Sequence, residues 1–150
     1  MVEPRCPYFG KCGGCSTQHI SYEAQLESKK KALASAIRSD SIKIFSGNEY
    51  SYRNRMDFIF HTGGLGFREK DKWQKIVDIQ RCIISEDRLN ELLKEVRDFF
   101  SSPDSFDVKR HTGTLRYAVV RNSQNCSSIS FVLNEDSSRT SDAIEKIKEF

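Results

Sequence analysis

Three cysteines, Cys6, Cys12 and Cys15, fall within the ten residues CPYFGKCGGC. Thiolates are soft ligands, and three converging from one short loop point to a metal or a cluster rather than to packing. Gly13 and Gly14 suit such a loop, because a backbone without Cβ turns sharply and can bring amide N–H groups to sulfur. A fourth ligand has to come from elsewhere, and the remaining cysteines are Cys82 and Cys126. Cys82 is the better candidate, since it stands where an expected strand meets an expected helix and can point at a neighbouring loop. Cys126 lies in a turn between two strands. Structural zinc usually draws on two knuckles of paired cysteines, whereas three plus one is the commoner division for a [4Fe–4S] cluster. Spacing favours the cluster and leaves zinc open. The plain alternative, cysteines as small buried hydrophobes, sits poorly with three of them in a glycine-rich loop.

A second group is basic. Arg53 and Arg55 share one face of an expected strand, and Arg68 lies on its partner, with Phe67 and Trp73 interleaved among Lys70, Lys72 and Lys75. Guanidinium forks that match phosphate, beside flat aromatic faces, are what RNA-binding surfaces use. The bland reading is an ordinary exposed sheet face. Arg116 and Arg121 stand behind these as further RNA-binding candidates. On an ideal strand the two face opposite sides, so they share a surface only if a bulge intervenes. The run Lys29, Lys30, Lys31 reads first as a solvated helix face, with a phosphate-facing role as the alternative.

The elements that must position these groups can be read in order. Ser21 caps a helix to about Arg38, with Tyr22, Leu26, Leu33 and Ile37 as its buried stripe. Residues 41–45 form a short strand, and Gly47-Asn48 marks a turn. Residues 51–60 are the clearest strand, with Met56, Phe58 and Phe60 on one face and Arg53, Arg55, Asp57 and Ile59 on the other. HTGGLG is a hairpin turn, Phe67-Arg68 begins the returning strand, and residues 73–79 form another strand ending before Cys82. Ser85 caps a second helix whose buried face is Leu89, Leu92, Leu93, Val96 and Phe100. Residues 115–121 and 128–133 are two more strands, and a last helix opens near Ser141 with Ile144, Ile147 and Phe150 pointing one way. Strands joined by short turns and packed with helices predict an α+β class: an antiparallel sheet with packed helices and an N-terminal cysteine-rich cluster loop.

A chain of 150 residues suits one ordinary domain, and its formal charge of +3 allows a nucleic-acid partner without demanding one. No apolar run is long enough to span a membrane, and the N-terminus carries no secretory h-region. Five cysteines without an export signal argue for a reducing, cytoplasmic compartment rather than a disulfide framework. Other signals fail. Glu69 occupies the third position of G-x-G-x-x-G after Gly64 and Gly66. His19, His61 and His111 have no ligand spacing, and Cys126 has no base that the sequence reveals.

CPYFGKCGGCSTQHISYEAQLESKK at 6–30 resembles the cluster-binding opening of the RNA uracil-C5 methyltransferase family, the tRNA and ribosomal RNA 5-methyluridine enzymes. The resemblance continues in order through YRNRMDF at 52–58, GLGFRE at 64–69, IVDIQRC at 76–82 and LRYAVVRNS at 115–123. It implies a [4Fe–4S] cluster held by Cys6, Cys12, Cys15 and Cys82, and tRNA or rRNA as partner. It also implies an S-adenosylmethionine-binding catalytic domain that nothing in these residues matches, so no catalytic residue is assigned. The TRAM barrel that opens many members is likewise unmatched. The expected organisation is a cluster loop at 1–20, completed by Cys82, and a central RNA-recognition domain at 21–150 that is incomplete at its C-terminus. The competing expectation is a stand-alone iron–sulfur or zinc RNA-binding module without methyltransferase activity.

Overall fold

The computed structural model describes residues 1–150. Five strands form one antiparallel sheet: β1 (Arg55–His61), β2 (Gly64–Glu69), β3 (Lys72–Asp78), β4 (Leu115–Asn122) and β5 (Ser127–Leu133), in the spatial order β3-β2-β1-β4-β5. Helix α1 (Tyr22–Ile37) precedes them, α2 (Asp87–Phe99) links β3 to β4, and α3 (Thr140–Glu149) closes the chain. The α+β class expected from the sequence is what the fold shows.

Strand periodicity sorts the two faces of the sheet. Met56 pairs with Val120 and Phe58 with Ala118 across β1 and β4, and Phe67 pairs with Val77 across β2 and β3. These side chains face the core with Phe60 and Leu65, and α2 covers them through Leu89, Leu92, Leu93 and Val96. Phe100 meets Phe60 edge-on at 5.6 Å and Phe131 at 5.3 Å, which seals one end of the core. Arg97 fixes the angle of α2 by donating to Asp78 Oδ1 at 2.7 Å and to the Leu65 carbonyl at 2.9 Å. Burial pushes the Asp78 carboxyl up. The bonds from Arg97 and His61 and the Arg97 charge outweigh it and hold the group below the usual carboxylate range.

The opposite face is open. Arg55 lies across from Arg121, Asp57 from Val119 and Ile59 from Tyr117, and β5 adds Ser128, Ser130 and Val132 to the same rows. A register shift between Leu115 and Tyr117 sets Leu115 and Ala118 on the core side together. This is the bulge required for Arg116 and Arg121 to serve one surface.

Several expectations need correction. Residues 41–45 form no strand, and the strand expected from Ser51 begins at Arg55, because 51–53 bond instead to Ile83 and Ile84. Ser21 does cap α1, accepting from the Ala24 amide at 3.3 Å, but none of the stripe below it is buried. Leu33 and Ile37 are 49% and 54% exposed, since no element packs against that half of the helix. Ser85 is not a cap. It is buried, its backbone bridges to Arg53, and α2 starts after Glu86.

Candidate cluster site and nucleic-acid interface

The cysteine loop is stitched to the β2–β3 hairpin by backbone. The Gly13 amide donates to the Arg68 carbonyl at 2.9 Å, and the Lys70 amide donates to the Lys11 carbonyl at 2.8 Å. A Cβ on Gly13 would come within 3.2 Å of that Arg68 oxygen, so the approach favours glycine. Tyr8 reaches the other end of β3, where its hydroxyl accepts from the Gln80 amide at 3.1 Å. Cys82 is held separately by Asn90 of α2, whose Oδ1 accepts the Cys82 amide at 2.8 Å and whose Nδ2 donates to the Cys82 carbonyl at 3.1 Å.

These attachments bring Cys6, Cys12, Cys15 and Cys82 to the wall of one cavity of about 280 Å³, beside Phe67 and Ile79. Cys126 lies far away in the β4–β5 turn, exposed and bonded to Ser123. Burial pushes the Cys6 thiol up, and the neighbouring Cys82 and Cys15 add to it, while the amides of Tyr8 and Phe9 oppose. Burial likewise raises the Cys12 thiol, against the Gly14 amide, which lies 3.4 Å from its Sγ. Backbone amides aimed at sulfur are the outer contacts that metal-bound thiolates use. Gln18 lines the same cavity; its Oε1 accepts the Cys6 amide, and its buried Nε2 has no acceptor. A sulfur ligand or sulfide would supply one. No three of these groups stand close enough together to hold a single metal ion.

The arginines expected to bind RNA divide between two places. Arg53 and Arg68 line the cysteine cavity, and Arg68 also reaches the open face, where it bonds the Trp73 carbonyl and the Tyr117 hydroxyl. Arg116 and Arg121 belong to the open face. Arg55 is there too, but Asp57 holds it by two bonds of 3.0 and 3.1 Å. Of the expected set, Arg53, Arg68, Arg116 and Arg121 have no carboxylate partner. Phe67 is absent from the open face: its ring packs on Phe58 at 5.1 Å on the core side and lines the cysteine cavity with Arg53 and Arg68. The sequence reading missed the 103–114 loop, where Phe106 and Lys109 lie beside Arg116.

No protein-family model matches the chain. Over 122 residues it is 38% identical to the tRNA (uracil(54)-C(5))-methyltransferase of Pyrococcus abyssi, and 40% identical to that of Pyrococcus horikoshii. Each match covers 80% of this chain and 30% of the relative, so the chain spans under a third of these proteins. The crystal structure of the Pyrococcus abyssi tRNA (uracil-54, C5)-methyltransferase, in complex with S-adenosyl-L-homocysteine, superposes with a TM-score of 0.71 at 32% identity. That match covers 85% of this chain and 33% of the solved one. By sequence and by fold, the chain is a homologue of a segment of the RNA (uracil-C5)-methyltransferases.

Proposed function

We propose that the chain is the cluster-bearing RNA-recognition part of an S-adenosylmethionine-dependent RNA uracil-C5 methyltransferase, acting on tRNA in the cytoplasm. The observation that carries this reading is the gathering of Cys6, Cys12, Cys15 and Cys82 around one cavity, in a fold shared with a tRNA uracil methyltransferase. The donor set fits a [4Fe–4S] group: four soft thiols, amides on two of them, and an unpartnered Gln18 donor. Three cysteines from one loop and one from elsewhere match the division of a cluster better than the two paired knuckles of structural zinc. When bound, the cluster would supply bonds that tie the 6–15 loop to the end of β3.

Methyl transfer itself is assigned to the two thirds of the relatives that this segment does not match. Uracil in a folded RNA is stacked, and its C5–C6 edge is reachable only after the nucleotide is extruded. A sheet face that offers unpaired guanidinium groups and aromatic rings can hold the surrounding backbone and splayed bases while this happens. Arg68, Arg116 and Arg121 are assigned to that face, with Arg53 at the rim of the cysteine cavity.

The test uses the complete protein with methyl-labelled S-adenosylmethionine and a tRNA transcript, followed by nuclease digestion and nucleoside analysis. 5-Methyluridine is the expected product. Label confined to another nucleoside, or none at all, would contradict the reading.

A further inference from the structure

A second cavity, of about 460 Å³, opens between the bare sheet face and the 103–114 loop. We propose that it holds one unstacked RNA nucleotide, its phosphate on Arg68, Arg116 and Lys109 and its base against Phe106 and Tyr117. This rests on the RNA-recognition reading above and names a site within it.

Charge argues for an anion. Arg68, Arg116 and Lys109 line the cavity and none has a carboxylate partner, whereas the one acidic residue in its wall, Asp107, is turned into its own loop. There its Oδ1 accepts the amides of Lys109 and Arg110 at 2.8 and 3.1 Å. Arg116 is the most telling residue. Its guanidinium lies 4.6 Å from the centre of the Phe106 ring, and its Nε is buried without an acceptor. That N–H is closed off from the cavity, whereas the terminal N–H groups of the same guanidinium are neither buried nor hydrogen-bonded, so a phosphate oxygen can reach them. Arg68 spends donors on the Trp73 carbonyl and the Tyr117 hydroxyl, and a guanidinium has five N–H groups.

Aromatic surface argues for a nucleotide rather than a bare phosphate. Phe106 and Tyr117 line the cavity beside the same guanidinium groups; Arg116 covers one face of Phe106, so a base would stack on Tyr117 or on the Arg116–Phe106 pair. The volume lies within the range of small-ligand pockets, about 300–1,000 Å³. The wall is also preformed. Phe106 donates to the Leu115 carbonyl at 2.9 Å, Asp107 to the Thr112 carbonyl at 2.7 Å, and the Thr114 hydroxyl to Asp104 at 2.6 Å. Gly113 completes the turn at φ +93, where a Cβ would lie 2.1 Å from the Ser105 carbonyl oxygen.

The test is equilibrium binding of a fluorescent single-stranded oligouridylate across a salt series, for wild type, Arg116→Gln and Phe106→Leu, each checked by circular dichroism. Arg116→Gln is expected to weaken binding about ten-fold and to lower the log–log salt slope by about one. Phe106→Leu is expected to weaken it about ten-fold with the slope unchanged, because stacking releases no counterions. Wild-type affinity in both folded variants would overturn this site and leave the RNA reading standing. Absence of oligouridylate binding to wild type would overturn both. Displacement of the RNA by millimolar inorganic phosphate, with Phe106→Leu silent, would reduce the site to a phosphate subsite and overturn the nucleotide.

Discussion

Asn90 shows how one side chain can position a cysteine without touching its sulfur. It accepts the Cys82 amide, donates to the Cys82 carbonyl, and so fixes the backbone of the one cysteine that is remote in sequence from the other three. Asn90→Ala strips both bonds while leaving the apolar face of α2 intact. Each half-buried polar group left unpaired costs about 1–3 kcal/mol, so a stability loss of about 2–4 kcal/mol is expected from urea denaturation. If the proposed cluster is bound, it should also be lost faster to a chelator. A midpoint and a loss rate equal to wild type would remove Asn90 from the site. Cys6, Cys12 and Cys15 were legible in the sequence because their spacing is local. The role of Asn90 was not, because its amide bonds to backbone, which carries no sequence mark.

At the level of elements, α1 and α2 are an instructive pair, since both carry apolar residues at helical spacing. In α2 the stripe was legible because it is dense, four buried residues, and it meets a sheet face of matching phenylalanines. In α1 the stripe is interrupted by Lys29–Lys31 and nothing covers its second half. Periodicity shows which residues share a face and not whether another element comes to meet it. Leu93→Ala should therefore cost about 2–5 kcal/mol in the 150-residue chain, through lost burial and the cavity left behind. Leu33→Ala should stay within about 0.5 kcal/mol of wild type. Thermal denaturation of the two variants distinguishes these, and a comparable loss in both would mean that α1 has a partner. The Ser85 expectation failed for a related reason: a hydroxyl before a helix reads as a cap, but here it is drawn beneath the Arg53 bridge. The bulge after Leu115 was legible only as a condition on Arg116 and Arg121, because the sequence does not mark where a strand takes an extra residue.

For the molecule as a whole, the cysteine cavity and the open face are two sides of one strand. The backbone of Arg68 receives the cysteine loop through Gly13, while its side chain reaches Tyr117 in the second cavity. A cluster that tightens the loop would therefore hold Arg68 in place for RNA, a structural task that requires no change of oxidation state. The most direct test is metal analysis of the chain purified without oxygen, as wild type and as Cys82→Ala, with iron, acid-labile sulfide and zinc measured beside the visible spectrum. About four irons and four sulfides per wild-type chain are expected, with the cluster lost in Cys82→Ala. One zinc and no sulfide in wild type, or a full cluster in Cys82→Ala, would contradict it.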